Sequence, residues 1–163
     1  MPSVDATLIA DMFDRHAAAL ALYASQWTRL ADDCVQEALV ELARQPAAPD
    51  NPAAWLYRVV RNRALNASRA SRRRASYEQA AGEHRGEHQF SDADPAARAE
   101  LADMLATLEA KSREIVVLRI WGRLSWQEIA EVVGGSKSSA QRNYVQALQQ
   151  LRQLGEPRSC PMN

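Results

Sequence analysis

The chain has 163 residues and a formal net charge of zero, enough for one domain or two small ones. Ala, Leu, Arg, Glu and Gln are common and Gly is scarce, which favours helix over strand. No run of 18 apolar residues is present and the N-terminus lacks a basic start followed by an apolar core, so neither a membrane span nor a secretory signal is expected and the chain reads as cytoplasmic.

The zero total hides alternating blocks. Residues 1–50 carry a net −5, residues 51–75 +7, residues 76–110 −6 and residues 111–163 +4. Two separate basic segments fit two contacts with nucleic acid. The acidic first block suits a partner other than DNA.

Residues 5–27 read as a helix or helical pair, with Leu8, Ile9, Met12, Phe13, His16, Leu20 and Tyr23 at three-to-four spacing. His16 falls on that apolar face and reads as a packed histidine. Residues 30–44 form a second helix. Leu30, Cys34, Val35, Ala38, Leu39 and Leu42 mark its buried side, and Asp32, Asp33, Gln36, Glu37 and Glu41 populate the other. Acids near its start also suit the helix dipole. Residues 45–52, QPAAPDNP, form a loop, and Pro52 fits the first turn of the next helix.

That next helix, residues 53–72, turns Trp55, Leu56, Val59, Val60, Ala64 and Leu65 inward. Arg58, Arg61, Asn62, Arg63, Asn66 and Arg69 spread over the rest, and it ends in Arg72, Arg73 and Arg74. Seven arginines without a carboxylate in residues 51–75 lack the i,i+4 partners that a solvated helix usually carries, so a polyanion is the expected partner. Trp55 has two readings, a stacking platform for a base and a core aromatic.

Residues 76–95 hold two glycines and many charges and read as a linker. His84 and His88 stand four apart there, but flanking glycines weaken any helix that would pair them on a metal. Cys34 reads as a small core residue and Cys160 lies in a polar tail. Neither has a C-x-x-C partner, so no zinc site, and no cofactor of any kind, is expected.

Helix resumes over residues 96–110 through Leu101, Met104, Leu105 and Leu108. Residues 112–121 follow, with Ile115, Val116, Leu118, Ile120 and Trp121 apolar. Ser125 to Glu128 is an S-x-x-E capping box that starts a short helix over Ile129, Ala130, Val132 and Val133. Gly134 and Gly135 stop it, and Ser136 can cap a last helix whose stripe is Ala140, Tyr144, Leu148 and Leu151. The last two helices read either as a helix-turn-helix, with Ser136, Lys137, Ser138, Ser139, Gln141 and Arg142 toward a major groove, or as an ordinary helical hairpin.

Two stretches in this order resemble one family, the extracytoplasmic-function (ECF) sigma factors of bacterial RNA polymerase. The first is ADDCVQEA at residues 31–38, followed by PAAWLYRVVRNRA at 52–64 and the arginine run. The second is SREIVVL at 112–118, LSWQEIA at 124–130 and ALQQLR at 147–152. The resemblance spans about residues 5–155. It implies an all-α protein of two helical domains: residues 5–75, a linker at 76–95, and a helix-turn-helix domain at 96–155.

It also implies a function: an alternative sigma factor that binds core polymerase through the β′ clamp helices and the β flap, and that recognises −35 and −10 promoter elements and melts the latter. Residue by residue, Asp32, Asp33, Gln36, Glu37 and Glu41 fall to the polymerase. The loop with Asp50 and Asn51, then Trp55, Arg58, Arg61, Asn62, Arg63, Arg69, Arg72 and Arg73, falls to the −10 element. Ser136, Lys137, Ser138, Ser139, Gln141 and Arg142 fall to the −35 element. An anti-sigma inhibitor is a further implied partner. The sequence departs from the family at Asn143 and Gln146, where basic residues are frequent.

The rival expectation is a stand-alone helix-turn-helix regulator that never meets polymerase. The acidic second helix and the separate arginine helix count against it. No Gly-rich phosphate loop, nucleophile elbow or H-E-x-x-H supports an enzyme.

Overall fold

The computed structural model describes residues 4–76 and 94–155, all of whose regular structure is helical. The described residues fall into two compact units, one before and one after the boundary between Asp92 and Ala93. The expected linker positions from 77 to 93, with His84 and His88, and the tail with Cys160, lie outside the described residues.

The first unit is a three-helix bundle of α1 (Ala6–Ala24), α2 (Ala31–Ala43) and α3 (Pro52–Ala75), each packed on the other two. Asp5 starts α1 by accepting the Leu8 N–H at 2.8 Å. Asn51 starts α3 by accepting the Ala54 N–H at 3.0 Å, with Pro52 as the first helical residue. Leu20, Tyr23, Val35, Leu42, Leu56, Tyr57, Val60 and Ala64 fill the core. Tyr57 was absent from the expected inward set, yet it is fully buried, edge-on to Tyr23 at 5.5 Å and to His16 at 6.0 Å. Cys34 is buried, as expected.

Several boundaries and faces differ from expectation. α1 ends at Ala24, three residues early, because residues 25–27 form a turn that returns the Trp27 N–H to the Ala24 carbonyl at 3.0 Å. Phe13 and Leu30, expected inside, are exposed. Leu30 precedes the first turn of α2, so it points away from the seam that Ala31, Cys34 and Val35 close. Of the expected inward residues of α3, Trp55, Val59 and Leu65 are only half-buried.

The second unit contains α4 (Pro95–Ala106), α5 (Ala110–Ile120), α6 (Trp126–Val133) and α7 (Lys137–Gly155). α5, α6 and α7 pack on one another around Ile115, Val116, Val117, Leu118, Ile129, Ala140 and Ala147. The helix expected to run to residue 110 stops at Ala106, and α5 begins two residues early. Arg113 explains the break, since its guanidinium takes the carbonyls that α4 leaves open: Nε donates to Leu105 O at 2.8 Å and Nη2 to Leu108 O at 3.0 Å. Leu105 and Leu108 are buried, whereas Met104 and Ile120, expected to pack, are exposed.

Candidate polymerase and promoter interfaces

The turn between α6 and α7 is built from local chemistry. The Ser125 hydroxyl accepts the Glu128 N–H at 3.3 Å and the Glu128 carboxylate accepts the Ser125 N–H at 2.5 Å, so the capping box is complete. Gly134 at φ 74° and Gly135 at φ 128° make the turn in a region that side chains disfavour. The Ser136 hydroxyl then accepts the Ser139 N–H at 3.1 Å and caps α7. Behind the turn, Arg119 lies over the Trp126 ring at 4.4 Å and donates to Leu124 O at 2.8 Å, while Trp126 meets Tyr144 edge-on at 5.1 Å. α6 is thereby pinned to both α5 and α7.

This framework seats Ala140 and Ala147 inside and leaves Lys137, Ser138 and Arg142 exposed on the first turns of α7. Ser139 and Gln141 are half-buried, and the Ser136 hydroxyl is occupied by its cap. A helix presented N-terminus first, with two cations and small polar groups, can enter a major groove. Lys111 adds a third cation, because its Nζ lies 3.7 Å from where a Cβ on Gly135 would sit. Sequence spacing offered no hint of Lys111, which reaches the turn only through packing.

In the first unit α2 presents Asp33, Gln36 and Glu37 to solvent, with Asp32 and Glu41 half-buried beside them. α3 presents Arg58, Asn62, Arg69, Arg72, Arg73 and Arg74. Asn66, Arg69, Arg72 and Arg73 together line an open groove. Arg61 is half-buried and stacks over the Trp27 ring at 5.9 Å, so Trp27 joins this surface. Trp27 escaped the sequence reading because it sits in the turn after α1, 34 positions before Arg61.

The assigned loop residues separate. Asp50 is exposed, while the Asn51 side-chain oxygen caps α3. Trp55 is half-buried at the start of that helix. Arg63 is drawn across to α2, donating from Nη1 to Glu37 Oε2 at 2.6 Å and from Nη2 to Glu41 Oε2 at 2.5 Å. Its hydrogen bond to Glu41 raises the Arg63 pKa above the ordinary arginine value, against a smaller opposing effect of burial. In the bundle core, burial lowers the His16 pKa and raises those of Cys34 and Tyr57. Of the three, Cys34 borders the charged surfaces, beside Asp33, Glu37 and Arg63. Among the described residues there is no cluster of three or more His, Cys, Asp or Glu that could hold a metal.

A helical unit with an acidic face beside an arginine groove, followed by a unit built on a helix-turn-helix, fits the class of DNA-binding transcription proteins. Comparison with known proteins makes this specific. The family model described as Sigma-70 region 2 matches residues 12–74 and the one described as Sigma-70, region 4 matches residues 98–151, together more than half of the chain. The chain belongs to the sigma-70 family, in its extracytoplasmic-function group, and is an alternative sigma factor directing transcription.

The ECF RNA polymerase sigma factor SigL of Mycobacterium tuberculosis is 29% identical over 159 residues, covering 92% of this chain and 90% of that relative. Two solved structures share the fold. CnrH in complex with the cytosolic domain of CnrY has a TM-score of 0.61 at 24% identity, covering 93% of this chain and 89% of that one. The sigma factor RpoE in complex with the anti-sigma factor NepR from Bartonella quintana has a TM-score of 0.67 at 21% identity, covering 91% and 96%. No described helix is long and apolar enough to cross a membrane.

Proposed function

We propose a division of labour between the two units. The acidic face of α2, through Asp32, Asp33, Gln36, Glu37 and Glu41, docks on the β′ clamp helices of core polymerase. The α3 surface, with Asp50 and Asn51 at its entry, holds the −10 element as it opens. The exposed N-terminal turns of α7 read the −35 element, and the second unit meets the β flap. Opening a duplex requires that one strand be held unpaired, and a cationic groove with aromatic neighbours supplies that hold. Phosphate contacts from the arginines set affinity and salt dependence, while base edges met by α7 set sequence.

The observation that carries this reading is the pairing, within one three-helix unit, of a carboxylate face on α2 with an arginine groove on α3. A repressor that only reads a major groove needs neither. The chain itself performs no catalysis and needs no cofactor in this reading, and it works in the cytoplasm beside the polymerase. Because two structural neighbours were solved with bound partners, one of them named an anti-sigma factor, an inhibitor of this chain belongs to the reading as well.

Run-off transcription with bacterial core enzyme and a promoter library tests it. The chain should direct initiation from a subset of templates that share two elements. Charge reversal at Asp33 and Glu37 should weaken its binding to core. Failure to direct core to any template refutes the reading.

A further inference from the structure

Arg63 belongs to both faces of the first unit. It is carried on the arginine helix, yet its guanidinium holds Glu37 at 2.6 Å and Glu41 at 2.5 Å on the acidic helix. All three side chains remain partly in water, at 33%, 63% and 40% exposure. Arg63 also lines a cleft between α2 and α3 with Asp33, Cys34, Glu37 and Asn66. Asn66 continues into the groove formed with Arg69, Arg72 and Arg73. The acidic face and the nucleic-acid groove are therefore contiguous, and Arg63 stands at their border.

We propose that Arg63 is an exchangeable counter-ion that couples the two faces. A basic protein surface that takes Glu37 and Glu41 competes with Arg63 and repels it, which releases the guanidinium toward a strand passing Asn66. A phosphate that takes Arg63 leaves the two carboxylates open to a basic protein. By linkage, each ligand strengthens the other by the same factor. Solvent-exposed pairs of this kind shift an equilibrium by only about two- to fivefold, so the exchange is cheap in both directions. The proposal rests on the reading that α2 meets core polymerase and α3 meets an unpaired strand.

Two measurements on the full chain test it. The first uses a random single-stranded DNA pool and no polymerase. Glu37→Gln with Glu41→Gln should tighten binding about two- to fivefold, and steepen the salt dependence by about 0.7, the value of one extra single-strand phosphate neutralised. The gain should vanish in an Arg63→Gln background. An equal gain in that background, or from Asp33→Asn, overturns the proposal, because a general field effect then suffices.

The second titrates labelled chain with core polymerase. Arg63→Gln should tighten core binding about two- to fivefold. Saturating single-stranded DNA should do the same for the wild-type chain and nothing for the variant. Weaker core binding by a folded Arg63→Gln chain overturns the proposal. Arg63→Met, which keeps the side-chain stem, replaces it if the Gln variant fails to fold. If the wild-type chain does not bind core at all, the underlying sigma-factor assignment of α2 fails, and the proposal with it. The outcomes above, by contrast, overturn the coupling alone.

Discussion

Arg113 Nε donates to the Leu105 carbonyl at 2.8 Å, and the same guanidinium reaches Leu108 O and Ala106 O. One side chain of α5 thus satisfies the open end of α4. Gln150 on α7 adds a donation to Thr107 O at 3.3 Å. Arg113→Lys keeps the charge and gives up the fork of donors. It should cost about 2 kcal/mol, the range of hydrogen bonds to charged groups. Amide exchange in α4 should accelerate before that in α5 to α7. Unchanged exchange in α4 would show that Leu105 and Leu108 hold it without help.

Tyr57 carries a buried hydroxyl without a hydrogen-bond partner. Removing an unsatisfied buried polar group relieves a desolvation penalty. Tyr57→Phe should therefore leave stability unchanged or raise it by about 1 kcal/mol, whereas Tyr57→Ala should lose about 3–5 kcal/mol by opening a cavity. Denaturant midpoints of the three proteins decide the matter. A marked loss in Tyr57→Phe would reveal a partner for the oxygen.

His16 is a base whose pKa is pushed below its ordinary 6.5, first by burial and then by Arg15, with Asp11 opposing. The unfolded chain therefore takes up the proton first as pH falls. The contribution of neutral His16 to stability is complete above 6.5 and is lost between 6.5 and the lower folded value. Melting temperature should fall through that window in the wild-type chain, and His16→Phe should flatten the fall. An equal decline in both would place the sensitivity elsewhere.

Arg72, Arg73 and Arg74 are exposed on the last turns of α3. Alanine at all three should weaken single-stranded DNA binding and reduce its dependence on log salt by about 0.7 for each phosphate that these arginines neutralise. A slope equal to that of the wild-type chain would mean that they stay in solvent when DNA is bound.

Helix content and the α6–α7 turn were legible because their determinants are local. The Ser125–Glu128 box, the two glycines and Pro52 act on their immediate neighbours in the chain. Residues fixed by distant neighbours were not legible. Glu37 and Glu41 stand 26 and 22 positions from Arg63, so the ion pair leaves no periodic trace. Tyr57 was left out of the inward set of α3, and its packing against Tyr23 and His16 of α1 is what puts it inside. Ala147 was passed over because a small side chain weakens an apolar stripe, although it is buried in the second unit's core. The end of α4 was missed because its stop signal, Arg113, comes from the following helix.

α3 extends well past its support. Ala64 is its last buried residue, and positions 65 to 75 form about three further turns that carry four arginines. An isolated helix of that length is marginal in water, and like charges a turn apart weaken it further. This arm should fray in the unbound chain and stiffen when phosphates screen it, so part of the ordering entropy of promoter opening is borne by the protein. Circular dichroism should then register a gain in helicity on adding polyanion that the short α2 does not share.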